Sequence, residues 1–96
     1  MIIKYLRAAK SDLIDGYTFY ESQKHGLGTY FLDTIFSDID SLILHYDIYP
    51  TFYSYQRVLS KKFPYAIYYK TEIDTIFIYA VIDCRRNPLK TTQRLK

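Results

Sequence analysis

The stretch FPYAIYYK, Phe63 to Lys70, decides the fold. Its period-two alternation places Phe63, Tyr65, Ile67 and Tyr69 on one face and Pro64, Ala66, Tyr68 and Lys70 on the other, the pattern of a half-buried strand. Pro64 cannot donate to a sheet ladder, so it marks the strand start or a bulge. The first face is expected against a helical layer, with Tyr68 and Lys70 on the side open to a partner.

Working outward, FYSYQRVLS before it and IFIYAVID after it also alternate. The first puts Tyr53, Tyr55, Arg57 and Leu59 opposite Phe52, Ser54, Gln56 and Val58. The second puts Ile76, Ile78, Ala80 and Ile82 opposite Phe77, Tyr79 and Val81, apolar on both faces, which predicts an interior strand. Short connections, including the turn-like EIDT, make the three an antiparallel meander. Pro50 ends whatever precedes them.

Upstream the period is helical. IIKYL reads as a short opening strand. From Ala8 to Lys24, Leu13, Tyr17 and Tyr20 recur on one stripe beside Ile14, and from Leu27 to Asp47 Phe31, Ile35, Ile39, Leu42 and Tyr46 do the same. Gly26 supplies the left-handed conformation that ends the first helix, and Thr29 is the expected cap of the second. The Gly-Leu-Gly connection makes an antiparallel helical hairpin. Asn87 and Pro88 form a helix start, but the remaining residues are too few for a helix that is stable alone. The expected fold is α+β, in the order β-α-α-β-β-β with a short C-terminal helix, as a single domain over residues 1–96.

Charge is unevenly placed. The net charge is +3, yet residues 84–96 hold Arg85, Arg86, Lys90, Arg94 and Lys96 with no acid, leaving −2 for the rest. Arg57, Lys61 and Lys62 form a second basic patch. Neighbouring strands lie about 5 Å apart, so Arg57, Lys61, Lys62, Arg85 and Arg86 are expected on one cationic face suited to phosphates or an acidic partner. Tyrosines beside those cations suit stacking on exposed bases.

The acid–base inventory is thin. Neither the meander nor the tail carries a histidine, and His25 and His45 read as helix-end residues. Phosphate-loop, nucleophile-elbow and zinc-protease patterns are absent, so no cofactor or metal is expected. Cys84 is alone and reads as an inert thiol in a reducing cytoplasm. The opening MIIKYL lacks an export signal, and no apolar run reaches the roughly 18 residues needed to span a bilayer.

Four words in order, AKSDL with YTFYESQ, HGLGTYFLDTI, QRVLSKKFPYAIYY and IYAVIDCRRNP, resemble the RelE/ParE superfamily of type II toxin–antitoxin toxins. The resemblance covers nearly the whole chain, and the FPYxIYY and R-x-N-P words bring it closer to the ParE-like branch. It implies a cytoplasmic toxin, held in a hetero-oligomer by a cognate antitoxin and associated with plasmid stabilisation, that arrests growth when freed. ParE-like members act on DNA gyrase; RelE-like members cleave messenger RNA on the ribosome. By position, Arg57 and Arg86 match family arginines.

Were the chain a nuclease, the candidates would be Arg57, Arg86 and Lys61 or Lys62 gripping phosphate, with a lysine or Asp83 handling protons. Asp83 stands where many relatives have histidine, which removes the natural proton carrier. The expected binding residues are Arg57, Lys61, Lys62, Tyr68, Arg85 and Arg86. Three functions follow: a non-enzymatic gyrase poison, a messenger-RNA endonuclease, and a non-toxic binding module of the same fold.

Overall fold

The computed structural model describes residues 1–96. The chain runs β1 (Ile2–Tyr5), α1 (Arg7–Gln23), α2 (Leu27–Asp40), α3 (Leu42–His45), β2 (Thr51–Phe52), β3 (Tyr55–Leu59), β4 (Tyr65–Glu72), β5 (Thr75–Asp83) and α4 (Pro88–Leu95). The sheet order is β1-β5-β4-β3-β2, with β1 parallel to β5 and every other pair antiparallel. This is the α+β arrangement that the periodicities predict, and β5 is interior as its two apolar faces require.

One sheet face carries the main core. Phe31, Ile35 and Ile39 of α2, with Ala9, Leu13 and Tyr20 of α1, pack on Tyr65, Ile67 and Tyr69 of β4 and on Ile76, Ile78 and Val81 of β5. Phe63 joins through its rings, 4.9 Å from Tyr20 and 5.2 Å from Phe31. FPYAIYYK therefore buries its odd-numbered face against the hairpin, as its alternation predicts. Of the two tyrosines on this face, Tyr69 has a hydroxyl partner: its Oη donates to the Tyr46 carbonyl at 2.6 Å, while burial raises the phenol above its ordinary value.

The alternation of β5 does not hold throughout. The register with β4 shifts between Tyr68 and Tyr69, pairing Tyr68 with Ala80 but Tyr69 with Ile78, so Tyr79 is an extra residue on β5. Such a bulge reverses the facing of every residue beyond it. Ile76 and Ile78 face the hairpin, whereas Ala80 and Ile82 lie on the opposite face with Ala66, Tyr68 and Leu95, and Val81 turns inward.

The segment FYSYQRVLS is two strands rather than one. Tyr53 and Ser54 both take positive φ, 52° and 70°, and form a two-residue turn pairing Phe52 with Tyr55. No glycine or asparagine marks that turn, so the sequence hides it.

The helical hairpin closes tightly where glycine permits. A Cβ on Gly16 would meet the Phe31 ring at 2.5 Å, and one on Gly28 would meet the Tyr17 ring and carbonyl at 2.8 Å. The cap of α2 is not Thr29: Gly26, at φ 88°, is the N-cap, and Glu21 reaches back from α1 to accept from Gly26 N at 3.0 Å and Gly28 N at 2.9 Å. These two bonds satisfy backbone donors that a helix start leaves unpaired. They also hold the Glu21 carboxyl below its ordinary value.

Candidate anion-binding cleft

The second, smaller core lies on the far sheet face, where α4 crosses. Asn87 caps this helix by accepting from Leu89 N at 2.9 Å, and Pro88 occupies its first turn. Leu95 is its one buried residue, seated among Ala66, Tyr68, Ala80 and Ile82. Leu89, at the other end of the helix, is exposed.

Between α4 and the sheet lies a cleft of about 240 Å³ with Arg57, Tyr68, Cys84 and Arg86 on its walls and Thr91 and Thr92 on the helix side. Arg57 projects from β3 and stacks its guanidinium 3.9 Å from the Phe52 ring centroid. Its Nε is buried and has no hydrogen-bond partner. An unpaired buried donor on a permanently charged group calls for an acceptor, and an anion in the cleft would supply one. Burial raises the Cys84 thiol above its ordinary value, with Arg57 opposing only in part, which disfavours the thiolate.

The five cations expected on one face are divided among three places. Arg57 and Arg86 share the cleft. Arg85 turns away and is chelated by Asp83, Nε to Oδ1 at 3.0 Å and Nη2 to Oδ2 at 2.9 Å, with its backbone N also donating to Oδ1 at 2.9 Å. That chelation holds the Asp83 carboxyl below its ordinary value, so Asp83 is a poor proton carrier at neutral pH. Lys61 and Lys62 line a different hollow with Tyr30, Asp33 and Asp38, where Lys62 Nζ lies 5.4 Å from the Tyr30 centroid. The reason is a contact between residues distant in the chain: buried Asp38 of α2 accepts from Ser60 Oγ at 2.7 Å and draws the β3–β4 turn toward the hairpin.

Tyr68 is also placed differently from expectation. It lies beneath α4 at 5% exposure and offers the cleft only a buried wall. The open part of that sheet face belongs to Lys70, whose Nζ lies 4.6 Å from the Tyr55 centroid and 5.6 Å from that of Tyr79.

A second surface escaped the sequence reading. Tyr5, Leu13, Ile14, Tyr17, Leu32 and Phe36, with Lys10 at the edge, line an open apolar groove of about 480 Å³ over the helical hairpin. Ile14 is 65% exposed there. The signal lies in Ile14, an apolar position beside the Leu13, Tyr17 and Tyr20 stripe of α1 that the sheet contact leaves uncovered.

No family model matches the sequence, and no curated protein matches it. Among solved structures, a chain described as the chromosomal ParDE TA system from P. aeruginosa superposes with a TM-score of 0.73 at 16% identity. The match covers 86% of this chain and 95% of that one. The two chains share a fold. No helix here is long and apolar enough to cross a membrane.

Proposed function

We propose that this chain is the toxin component of a type II toxin–antitoxin pair, ParE-like, acting by binding DNA gyrase rather than by catalysis. The fold shared with a ParDE chain supports the toxin–antitoxin reading. The observation that carries the non-enzymatic part is the fate of Asp83: the one acid beside the arginine cleft is spent on Arg85 and held ionised. General acid–base catalysis most often uses histidine, carboxylate or lysine, and none of these lines the cleft. What it offers is fixed positive charge from Arg57 and Arg86, suited to holding an acidic group.

The neutralising antitoxin, on this reading, presents an amphipathic and acidic segment. Its apolar side matches the groove over α1 and α2, and its acids match the basic tail. Inducing the chain alone tests the proposal. Growth arrest with relaxed plasmid DNA, and loss of gyrase supercoiling when purified protein is added at micromolar concentration, are expected. Unchanged supercoiling overturns the gyrase assignment.

The messenger-RNA endonuclease reading has one observation in its favour, the unpaired Nε of Arg57 in a two-arginine cleft. New 5′ ends in translated messages within minutes of induction, with supercoiling intact, would select it.

A further inference from the structure

The strand β2 is two residues long, too short to add much to the sheet, yet it is held in a single register. Thr51 pairs with Gln56 and Phe52 with Tyr55, across a turn in which Tyr53 and Ser54 both take positive φ. L-residues enter that region at a steric cost, and neither position carries the glycine that would remove it. Strain of this kind persists where the surrounding structure gains something from the conformation.

The turn fixes which side chains share a face. Phe52 lies directly opposite Tyr55, and Arg57, two residues further along β3, points to that same side. Arg57 N donates to the Pro50 carbonyl at 3.0 Å and holds the diagonal between Phe52 and Arg57. A connection that shifted the pairing by one residue would send the Phe52 ring through to the hairpin face. As folded, that ring lies 3.9 Å from the Arg57 guanidinium carbon, on the wall of the cleft.

A stacked ring occupies a face of the guanidinium and leaves its edges free. Arg57 Nε lies on such an edge, buried and without a partner. Arg85 shows what this edge does when an oxyanion is at hand: its Nε and Nη2 take the two oxygens of Asp83 at 3.0 and 2.9 Å. For Arg57 the chain supplies no such acceptor at Nε, and the adjoining cleft of about 240 Å³ has room for a carboxylate or phosphate group.

We propose that Phe52 is a positioning residue for anion binding: the Tyr53–Ser54 turn sets its ring behind the Arg57 guanidinium, so that the Nε edge is held ready to take two oxygens of one oxyanion group carried by a larger ligand. Without the ring Arg57 keeps its charge but samples more rotamers, and ordering them on binding weakens the contact. The ring also keeps water from one face of the cation, which strengthens the charge-assisted bonds at its edge. The inference rests on the cleft being the working site, as proposed above, but it is measured on the purified chain with small anions, without gyrase or growth. Intact supercoiling with the behaviour below would overturn the gyrase assignment alone.

The test follows the Arg57 Nε–H resonance, identified by its loss in Arg57→Lys, during titration with inorganic phosphate and separately with acetate. A saturating shift is expected, the tighter anion naming the group that the ligand presents and a tie admitting either. Phe52→Leu, which keeps the position apolar, should weaken that affinity about fivefold and speed exchange of the Nε proton with water about tenfold. Phe52→Tyr keeps an aromatic face and should hold both readings within about twofold of the unaltered chain. A ring that only packs would lower the urea midpoint in Phe52→Leu and leave affinity and exchange as they were, which overturns the proposal. So does an Nε signal that neither anion moves. If Phe52→Leu does not fold, the unaltered chain decides: Nε exchange about tenfold or more slower than that of exposed Arg7 supports the ordered edge, and exchange equal to that of Arg7 overturns it.

Discussion

Asp83 grips Arg85 along one guanidinium edge, through Nε and Nη2, while leaving Arg86, the next residue, to face the cleft with Arg57. Two adjacent arginines thus differ in what they can do for a ligand. The variant Arg57→Ala with Arg86→Ala should relieve growth arrest by about tenfold or more in viable counts, since charge-assisted bonds to a bound acidic group are among the stronger polar contacts. Arg85→Ala should leave arrest within about twofold of the unaltered chain, because its charge is already neutralised by Asp83. Thermal melts should show both variants folded. Equal loss from Arg85→Ala and Arg86→Ala would mean that the cleft is not the working surface.

The close approach of α1 and α2 supplies a stability prediction. Gly28→Ala puts a methyl group 2.8 Å from the Tyr17 ring and carbonyl, and a backbone oxygen cannot rotate aside. A cost of about 1–3 kcal/mol is expected in urea unfolding. Gly26→Ala meets no atom, yet Gly26 has φ 88°, so its cost of about 1 kcal/mol comes from backbone strain alone.

Much of this architecture was legible in the sequence because each periodicity had one consistent reading. FPYAIYYK, the two helical stripes and the Asn-Pro start of α4 each point to the element that forms. What stayed hidden depends on contacts between distant residues. The bulge at Tyr79 needs β4 as a ruler, and without it Ala80 and Ile82 read onto the wrong face. The turn at Tyr53 and Ser54 lacks glycine and asparagine, and its flanks, Phe52 and Tyr55, pair across it. The candidate site was half legible: Arg57 and Arg86 meet as expected, but nothing near Lys61 in the chain reveals that Asp38, in α2, draws its turn away.

Acid sensitivity should trace to the hairpin connection. Hydrogen bonds from Gly26 N, and then Gly28 N, lower the Glu21 carboxyl from its ordinary 4.5, so the folded chain holds the ionised form more firmly than the unfolded chain does. That contribution is fully present above pH 4.5 and is lost as pH falls through the lowered folded value. Glu21→Gln should therefore show a shallower fall in denaturation midpoint over that acid range and the smaller stability difference at its lower end. A parallel fall in both proteins would assign the acid sensitivity elsewhere, with Asp83 the other lowered carboxyl to test.

The apolar groove offers a prediction about the proposed neutralisation that leaves the free chain itself intact. Ile14 is 65% exposed beside Leu32 and Phe36, so Ile14→Asp removes little buried contact in the free chain, and its melting temperature should stay within a few degrees. An antitoxin segment laid into that groove would bury position 14, and an unpaired carboxylate there should weaken the complex about a hundredfold or more. Titration calorimetry with the cognate antitoxin reads this directly. Co-expression gives the same answer in cells, as arrest that the antitoxin no longer relieves. Undiminished affinity of Ile14→Asp would place the antitoxin on the arginine cleft alone, and Arg57→Ala with Arg86→Ala would then be the variant that loses it.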